Sequence, residues 1–474
     1  MSQTITIDPV TRLEGHGKIT IHLNDQGEVE NANFHVTQVR GFEKFSEGRP
    51  FYEMPALMAR ICGICPVSHL IASAKACEAI MSVRIPHTAA QLRRMLNLAQ
   101  MVQSHALSFF YLSSPDLLLG LDSDPANRHI FGVAGAKPEL GLAGVGLRRF
   151  GQHIIELLGN KRIHPGWVIP GGVTEPLAAA KRDEILGMMP EAYANIKLAI
   201  TWYKQIADTF KPEIEVFGNF ASLYMGLINE DESVEFTDGA LRLIDANGHI
   251  VADGITANQF TEVIGEAVES YSYTKFAYYK PLGYPEGSYR VGPLARLNIA
   301  KTMGTPRADE ELKLFKQLSN GPVQSSFYYH YARLIDILHG IEKIELILTD
   351  PLILDKHVRA TAGVNRLDGS GQAEAPRGTL HHHYKVDENG LITWANLVIA
   401  TGQNNKAMND SVLQASKHYI HDGKFSEGIL NRVEAVVRTF DPCLSCSTHA
   451  FGQMPLELSL IAADGAVVDR LVRS

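Results

Sequence analysis

Two stretches decide how this sequence folds: Arg60-Ile61-Cys62-Gly63-Ile64-Cys65-Pro66-Val67-Ser68-His69 and Asp441-Pro442-Cys443-Leu444-Ser445-Cys446-Ser447-Thr448-His449. They hold four of the chain's five cysteines, at opposite ends of the sequence. A C-x-x-C pair puts two sulfurs on one side of a tight turn. Two such pairs, folded together, offer four thiolates to one soft metal centre. Each pair is followed by a histidine within four residues. Pro66 suits the first position of a helix, so Cys65 falls at a helix N-terminus. There the dipole and free N–H groups favour the thiolate.

The rest of the chain reads as housing for that centre. Its 474 residues carry 45% apolar and 20% charged side chains, ordinary for a globular protein, and a net charge of −8. That charge, with no Lys/Arg stripe, argues against a nucleic-acid partner. No apolar run reaches the length of a membrane span. The first eight residues, Met1 to Asp8, contain neither a basic nor an apolar export segment. Five cysteines in so long a chain do not build a disulfide scaffold. The expected compartment is a reducing cytoplasm, where C-x-x-C means metal or redox chemistry.

Four hairpins are predicted from turn residues that tolerate positive φ. They turn at Asn24-Asp25-Gln26-Gly27, Asn247-Gly248, Asn389-Gly390 and Asp464-Gly465. Between them run helical patterns. Thr88 is the expected N-cap of a helix whose apolar stripe includes Leu92, Met95, Leu96, Ala99, Val102, Ala106 and Phe109. A second long helix is predicted from Ser326 to Thr349, and shorter ones around 67–82, 145–158, 185–212 and 405–420. The expected fold is α+β and predominantly helical: long central helices, small β-hairpins at both chain ends, and one inserted near 234–253. No linker divides the chain, so 1–474 reads as a single interwoven unit. Within it lie an N-terminal β element (1–55), a mainly helical body (56–370), a C-terminal β/α region (371–449) and an extension (450–474).

Several readings compete for the paired cysteines. A dithiol redox site would need only one pair and a βαβ setting that is absent here. A structural Cys₄ zinc site usually draws its pairs from within about 20 residues, on a small ribbon. Here nearly the whole chain separates them. Arg60, His69, Asp441 and His449 crowd the cysteines with charge and titratable groups, which suits a reactive site.

R-I-C-G-I-C-x-x-x-H together with D-P-C-x-x-C-x-x-H resembles the large, catalytic subunit of [NiFe] hydrogenases. The opening Asp8-Pro9-Val10-Thr11-Arg12-Leu13-Glu14-Gly15-His16 is similar to that family's first motif. Arg40-Gly41-Phe42-Glu43, Gln103-Ser104-His105-Ala106, Pro170-Gly171-Gly172-Val173, Val291-Gly292-Pro293-Leu294-Ala295-Arg296 and Glu374-Ala375-Pro376-Arg377-Gly378 fit as well. The run Gly378 to Tyr384 and the closing Cys446 to Leu456 look most like the soluble, bidirectional, NAD-linked branch.

The resemblance implies roles residue by residue. Cys62 and Cys443 would be terminal nickel ligands, and Cys65 and Cys446 would bridge nickel and an iron carrying CO and cyanide. Soft thiolates suit both metals. Arg377 matches the family's arginine over the metals, with Asp116 and Asp441 holding it. Thr401 is a candidate cyanide contact and His69 a hydrogen-bonding neighbour of a bridging sulfur. Glu14 matches a proton-relay carboxylate. Glu43 and His449 resemble ligands of a hard cation, usually magnesium. The implied reaction is reversible heterolytic cleavage of dihydrogen to hydride and proton, with either Cys443 or Arg377 as first proton acceptor.

From residue types alone each assignment has a plainer counterpart. Glu14 reads as a solvated loop residue, Asp116 as loop punctuation, Asp441 as a turn cap, Arg377 as a surface charge and His69 as a satisfied core histidine. Cys77 reads as a small apolar residue on a helix face. The run His381-His382-His383 alternates faces in a strand and cannot converge on a metal. Gly141-Leu142-Ala143-Gly144-Val145-Gly146 follows no strand and is no dinucleotide motif.

One remaining cysteine cannot hold an iron–sulfur cluster, which takes about four, and no flavin or nicotinamide fingerprint is present. An iron–sulfur small subunit is therefore expected as electron acceptor. By resemblance a diaphorase with FMN and iron–sulfur clusters would follow, with NAD(P) at the end. The resemblance also implies nickel-insertion factors and a maturation endopeptidase that removes residues after His449, making this sequence a precursor. Two alternatives remain: a hydrogen-sensing hydrogenase, which keeps the same ligands, and a structural zinc protein.

Overall fold

The computed structural model of the chain describes residues 3–450 and 456–473. The apolar stripe over 92–109 becomes the helix His87–Ala106, continued by a wider π-helical segment, Leu107–Ser113. Its N-cap is Pro86, not Thr88. Pro86 already holds the extended backbone that precedes a helix, and the Thr88 hydroxyl donates instead to Leu352 O (3.0 Å). This helix packs against Pro138–Gly159 and Tyr329–Thr349, and Tyr329–Thr349 packs against Ala179–Ile206. Tyr329–Thr349 is preceded by a 3₁₀ turn at Ser326–Tyr328, so the predicted 326–349 element is helical throughout but tighter at its start. The glycines 141, 144 and 146 lie inside Pro138–Gly159, with Gly144 and Gly146 close against side chains of neighbouring helices.

All four predicted hairpins form. Gly17–Leu23 pairs with Val29–Val36, and Gln3–Ile7 adds a third antiparallel strand. Gly17–Leu23 alternates buried and half-buried residues along its whole length, so one face meets the core. Val29–Val36 lies on the helix Asn405–Tyr419, with Phe34 N–H donating to Asn409 Oδ1 (2.9 Å). The two ends of the chain are thus packed together.

The hairpin expected near 234–253 is part of something larger. Ala240–Ile244 and Ile250–Ile255 belong to a four-stranded sheet with Leu223–Ile228 and Tyr289–Arg290. Leu223–Ile228 is buried at every position and therefore shows no alternation to mark it as a strand. Its pairing with Tyr289–Arg290 is parallel. The C-terminal hairpin, Leu456–Ile461 with Val467–Arg473, leaves Leu458, Leu460, Val468 and Leu471 more than half exposed.

The element that matters most for the site is the sheet Asp368–Ala375, Gly378–Val386 and Ile392–Val398. It packs on the buried helix Pro66–Met81. A Cβ on Gly371 would lie 2.2 Å from Ala72 O, so only glycine lets strand and helix approach this closely. That approach brings the two-residue turn Pro376-Arg377 beside the start of the cysteine-bearing helix.

Candidate metal centre

The first cysteine pair follows a 3₁₀ turn, Ala59–Ile61. Cys62 is extended, and its Sγ accepts N–H bonds from Ile64 and Cys65, each at 3.2 Å. Cys65 is the N-cap of Pro66–Met81, with Pro66 at its first position as expected. The second pair follows the helix Glu427–Phe440, which ends on Asp441 in the left-handed conformation (φ 53°). Leu444 N–H donates to Glu14 O (3.0 Å), and Glu14 and Cys443 form a parallel β-bridge. Gly15 makes this possible: its φ is +89°, and a Cβ there would meet Leu444 Cβ at 2.7 Å.

The four sulfurs converge. All lie within 4.8 Å of one another, with Cys62 Sγ 3.6 Å from Cys443 Sγ and Cys65 Sγ 3.8 Å from Cys446 Sγ. A disulfide needs about 2.05 Å, and all five cysteines are free thiols. All four converging sulfurs belong to buried residues. Hydrogen bonds from Cys443, Cys446 and Cys62 pull the Cys65 thiol well down, while burial pushes Cys443 and Cys446 up. Four soft donors in a pocket sealed from water fit a metal centre with thiolate ligands.

Four sulfurs bound to metal as thiolates would call for a fixed cation. Arg377 supplies it from the turn between Asp368–Ala375 and Gly378–Val386, where Ala375 pairs with Gly378. It is buried, its Nε donates to Asp441 O (2.5 Å), and Nη2 donates to Asp441 Oδ1 (3.1 Å). Nη1 has no protein partner among the described residues. Burial works against its charge, but Asp441 and the cysteines outweigh that, so the guanidinium stays protonated.

Arg296, to which the motifs gave no role, clamps the same turn. Its guanidinium donates to Glu374 Oε2 (2.6 Å), Ala375 O (3.2 Å), Pro376 O (3.4 Å) and Asp336 Oδ2 (2.6 Å). Glu374 Oε1 in turn accepts from Leu227 N–H and the Thr379 hydroxyl. Arg40 plays a similar part below the cysteines. Its Nη1 reaches Ile61 O (2.6 Å) and Ser445 O (3.5 Å), joining the two loops.

Other expected residues fall where the geometry can use them. Glu14 Oε2 lies 3.0 Å from Cys443 Sγ and accepts from Ser445 N–H (3.1 Å). Thr401 Oγ1 accepts from Cys443 N–H (3.0 Å), so its hydroxyl oxygen anchors the ligand loop. His69 touches Cys65 and helps lower its pKa. Glu43 and His449 line one small cavity with Glu266 and Lys275, with room for about one water. Lys275 Nζ is 2.8 Å from Glu266 and 3.8 Å from Glu43. Among the described residues neither ring nitrogen of buried His449 has a hydrogen-bond partner.

Asp116 is not beside Arg377. Its Oδ1 accepts from Arg12 Nη2 (2.5 Å) and Asn431 Nδ2 (3.1 Å), and its Oδ2 from Arg438 Nη1 (3.1 Å). Among the described residues the Arg377 guanidinium hydrogen-bonds only to Asp441. The π-helical segment 107–113 lies just upstream of Asp116. Asp116 sits in the first turn of the next helix, Ser114–Leu119.

Comparison with known proteins agrees with this geometry. Residues 40–126 and 228–449 match the family described as nickel-dependent hydrogenase, and residues 4–39 match one described as HoxL-like. The chain is 40% identical to the NAD-reducing hydrogenase HoxS subunit beta of Cupriavidus necator, over the full length of both. It is also 40% identical to a chain of the F420-non-reducing hydrogenase vhc of Methanococcus voltae, covering 97% of this chain and 98% of that one. Among solved structures, an NAD⁺-reducing [NiFe]-hydrogenase in the H₂-reduced state superposes with a TM-score of 0.91 at 43% identity. That match covers 94% of this chain and 99% of the other.

Proposed function

Because this chain belongs to the nickel-dependent hydrogenase family as its large, catalytic component, we propose that it cleaves dihydrogen reversibly and feeds the electrons to a nicotinamide acceptor. The observation that carries this reading is the meeting of Cys62, Cys65, Cys443 and Cys446 under the Arg377 guanidinium. Cys62 and Cys443 would be the terminal nickel ligands, with Cys65 and Cys446 the bridges. When bound, a nickel–iron pair with CO and cyanide on iron supplies the redox chemistry and the site of heterolytic splitting.

The protein's own part is to hold charge and move the proton. Arg377 is locked to Asp441 and keeps its charge, which makes it a poor base. Cys443 is therefore the better first acceptor, and its Sγ already contacts Glu14 Oε2. Ser445 N–H fixes that carboxylate from the other side. The free Arg377 Nη1 is the donor available to diatomic ligands. Thr401 would act beside it by holding the Cys443 loop.

Electrons need a carrier that this sequence does not encode. A flavin-containing diaphorase, reached through an iron–sulfur small subunit, would pass them to NAD, in line with the named activity of the Cupriavidus necator relative. Among the described residues no helix is long and apolar enough to cross a membrane. Free, clustered cysteines suit a reducing compartment, and on that ground we place the complex in the cytoplasm. Glu43 and His449 would hold magnesium, supported by their shared cavity and the unpartnered His449 ring. The extension after His449 would be removed by a maturation endopeptidase once nickel-insertion factors have loaded the site. Mass spectrometry of active enzyme should then find a chain ending at His449.

Infrared spectroscopy of the complex purified with its partners tests the central reading. Carbonyl and cyanide bands, with hydrogen-dependent NAD reduction, are expected. Zinc in place of nickel and iron, with no such bands, would overturn it in favour of a structural Cys₄ site.

A further inference from the structure

The run His381-His382-His383 separates into three different environments. His383 pairs with Asp368 at 2.9 Å. His381 stacks on Phe260, with ring centroids 4.2 Å apart, and its Nε2 meets Ala257 O at 2.9 Å. His382 contacts the helix Pro66–Met81 and is fully buried. Its Nε2 is 3.3 Å from His69 Nδ1, and its Nδ1 is 2.6 Å from the Tyr384 hydroxyl. Tyr384 donates to Ser73 Oγ at 2.8 Å. All four residues are buried to within 1%.

The arrangement is a ladder between a helix and a strand. His69 and Ser73 are four apart on the helix, and His382 and Tyr384 are two apart on the strand. A helical turn of four residues rises about 6 Å and two strand residues span about 6.8 Å, so both rungs meet. The proton directions follow from the end of the chain. Tyr384 donates to Ser73, so it accepts from His382 Nδ1–H. The His382 Nε2 lone pair then accepts from His69 Nδ1–H. The Nδ1 edge of His69 is thus committed to the ladder, which fixes the plane of its ring beside Cys65.

We propose that His382 and Tyr384 are positioning residues that lock the ring of His69 against the sulfur of Cys65. This rests on the reading of Cys65 as a metal-bridging ligand. Burial, with the neighbouring His69 second, holds His382 neutral, as the ladder requires. A shell of this kind orients a metal's neighbours and tunes its electronics without touching the reacting atoms.

The test is Tyr384→Phe, with Ser73→Ala as the smaller change if the first folds poorly, each in the complex with partner subunits. Nickel and iron content should match the parent. The carbonyl and cyanide infrared bands should shift, and the shift should be larger for His382→Leu than for His382→Gln, whose amide oxygen can still accept from His69. Bands that coincide with the parent in metal-loaded Tyr384→Phe and His382→Leu would overturn the proposal. If the parent complex itself shows no bands, the nickel–iron reading fails first and takes this one with it.

Discussion

The Cys443 thiol donates to the Glu14 carboxylate across 3.0 Å, although 429 positions separate the two residues in the chain. The same two residues form a backbone bridge, so the contact is fixed by main chain as well as side chain.

Glu14→Gln keeps the shape and the acceptor toward Ser445 N–H but cannot take a proton. Positioned proton transfer contributes roughly 10²–10⁴-fold. Hydrogen-dependent turnover should fall by that order while nickel content and infrared bands persist. Turnover within a few-fold of the parent would remove Glu14 from the proton path.

Arg296 joins Glu374, Asp336 and the carbonyls of Ala375 and Pro376, all fully or nearly fully buried. Arg296→Met would strand two carboxylates in the interior. Breaking one side of such a buried set costs about 3–5 kcal/mol. Arg296→Lys should recover little of it, since an ammonium cannot reproduce the fork. Denaturant unfolding of the complex checks both variants, and a loss under about 1 kcal/mol would show that the turn carrying Arg377 holds itself.

How much of this was legible beforehand differs from residue to residue. The convergence of the four cysteines followed from paired motifs whose chemistry makes sense only together. The hairpins were readable because Asn-Gly and Asp-Gly commit the backbone locally. The parallel pairing of Leu223–Ile228 with Tyr289–Arg290 left no such trace, because a fully buried strand does not alternate and its partner lies some sixty residues away. Asp116 is placed with Arg377 by resemblance, yet its carboxylate is held by Arg12 and Arg438. Period-two alternation correctly set His382 apart from His381 and His383. Nothing local could say that His69 waited on that side.

Asp116 makes a prediction in pH. Burial pushes its carboxyl up, but Arg438 and Arg12 outweigh burial and hold it below its ordinary value. A depressed pKa contributes stability that is present above the unfolded value, about 3.9, and lost as pH falls through the folded one. Asp116→Asn should therefore lower stability at neutral pH, and its stability should fall less steeply than the parent's on acidification below about pH 4. Parallel acid titrations of unfolding free energy would refute this if the two curves kept a constant gap.

The fifth cysteine separates a ligand from a bystander. Cys77 lies in the same helix as the first site pair's histidine, but its Sγ–H donates to Phe51 O (3.1 Å). Burial and then Glu78 push its thiol well up, so it stays protonated. Cys77→Ala removes one weak hydrogen bond and leaves a small void, a cost of about 1–2 kcal/mol. Nickel and iron per complex should be unchanged. Cys446→Ser alters a single atom of a sulfur set whose members lie within 4.8 Å, and a hydroxyl is a hard, poor substitute for a soft bridging thiolate. Metal analysis of the purified variants should find Cys446→Ser depleted of both metals and Cys77→Ala fully loaded. The reverse result would move the metal away from the paired motifs.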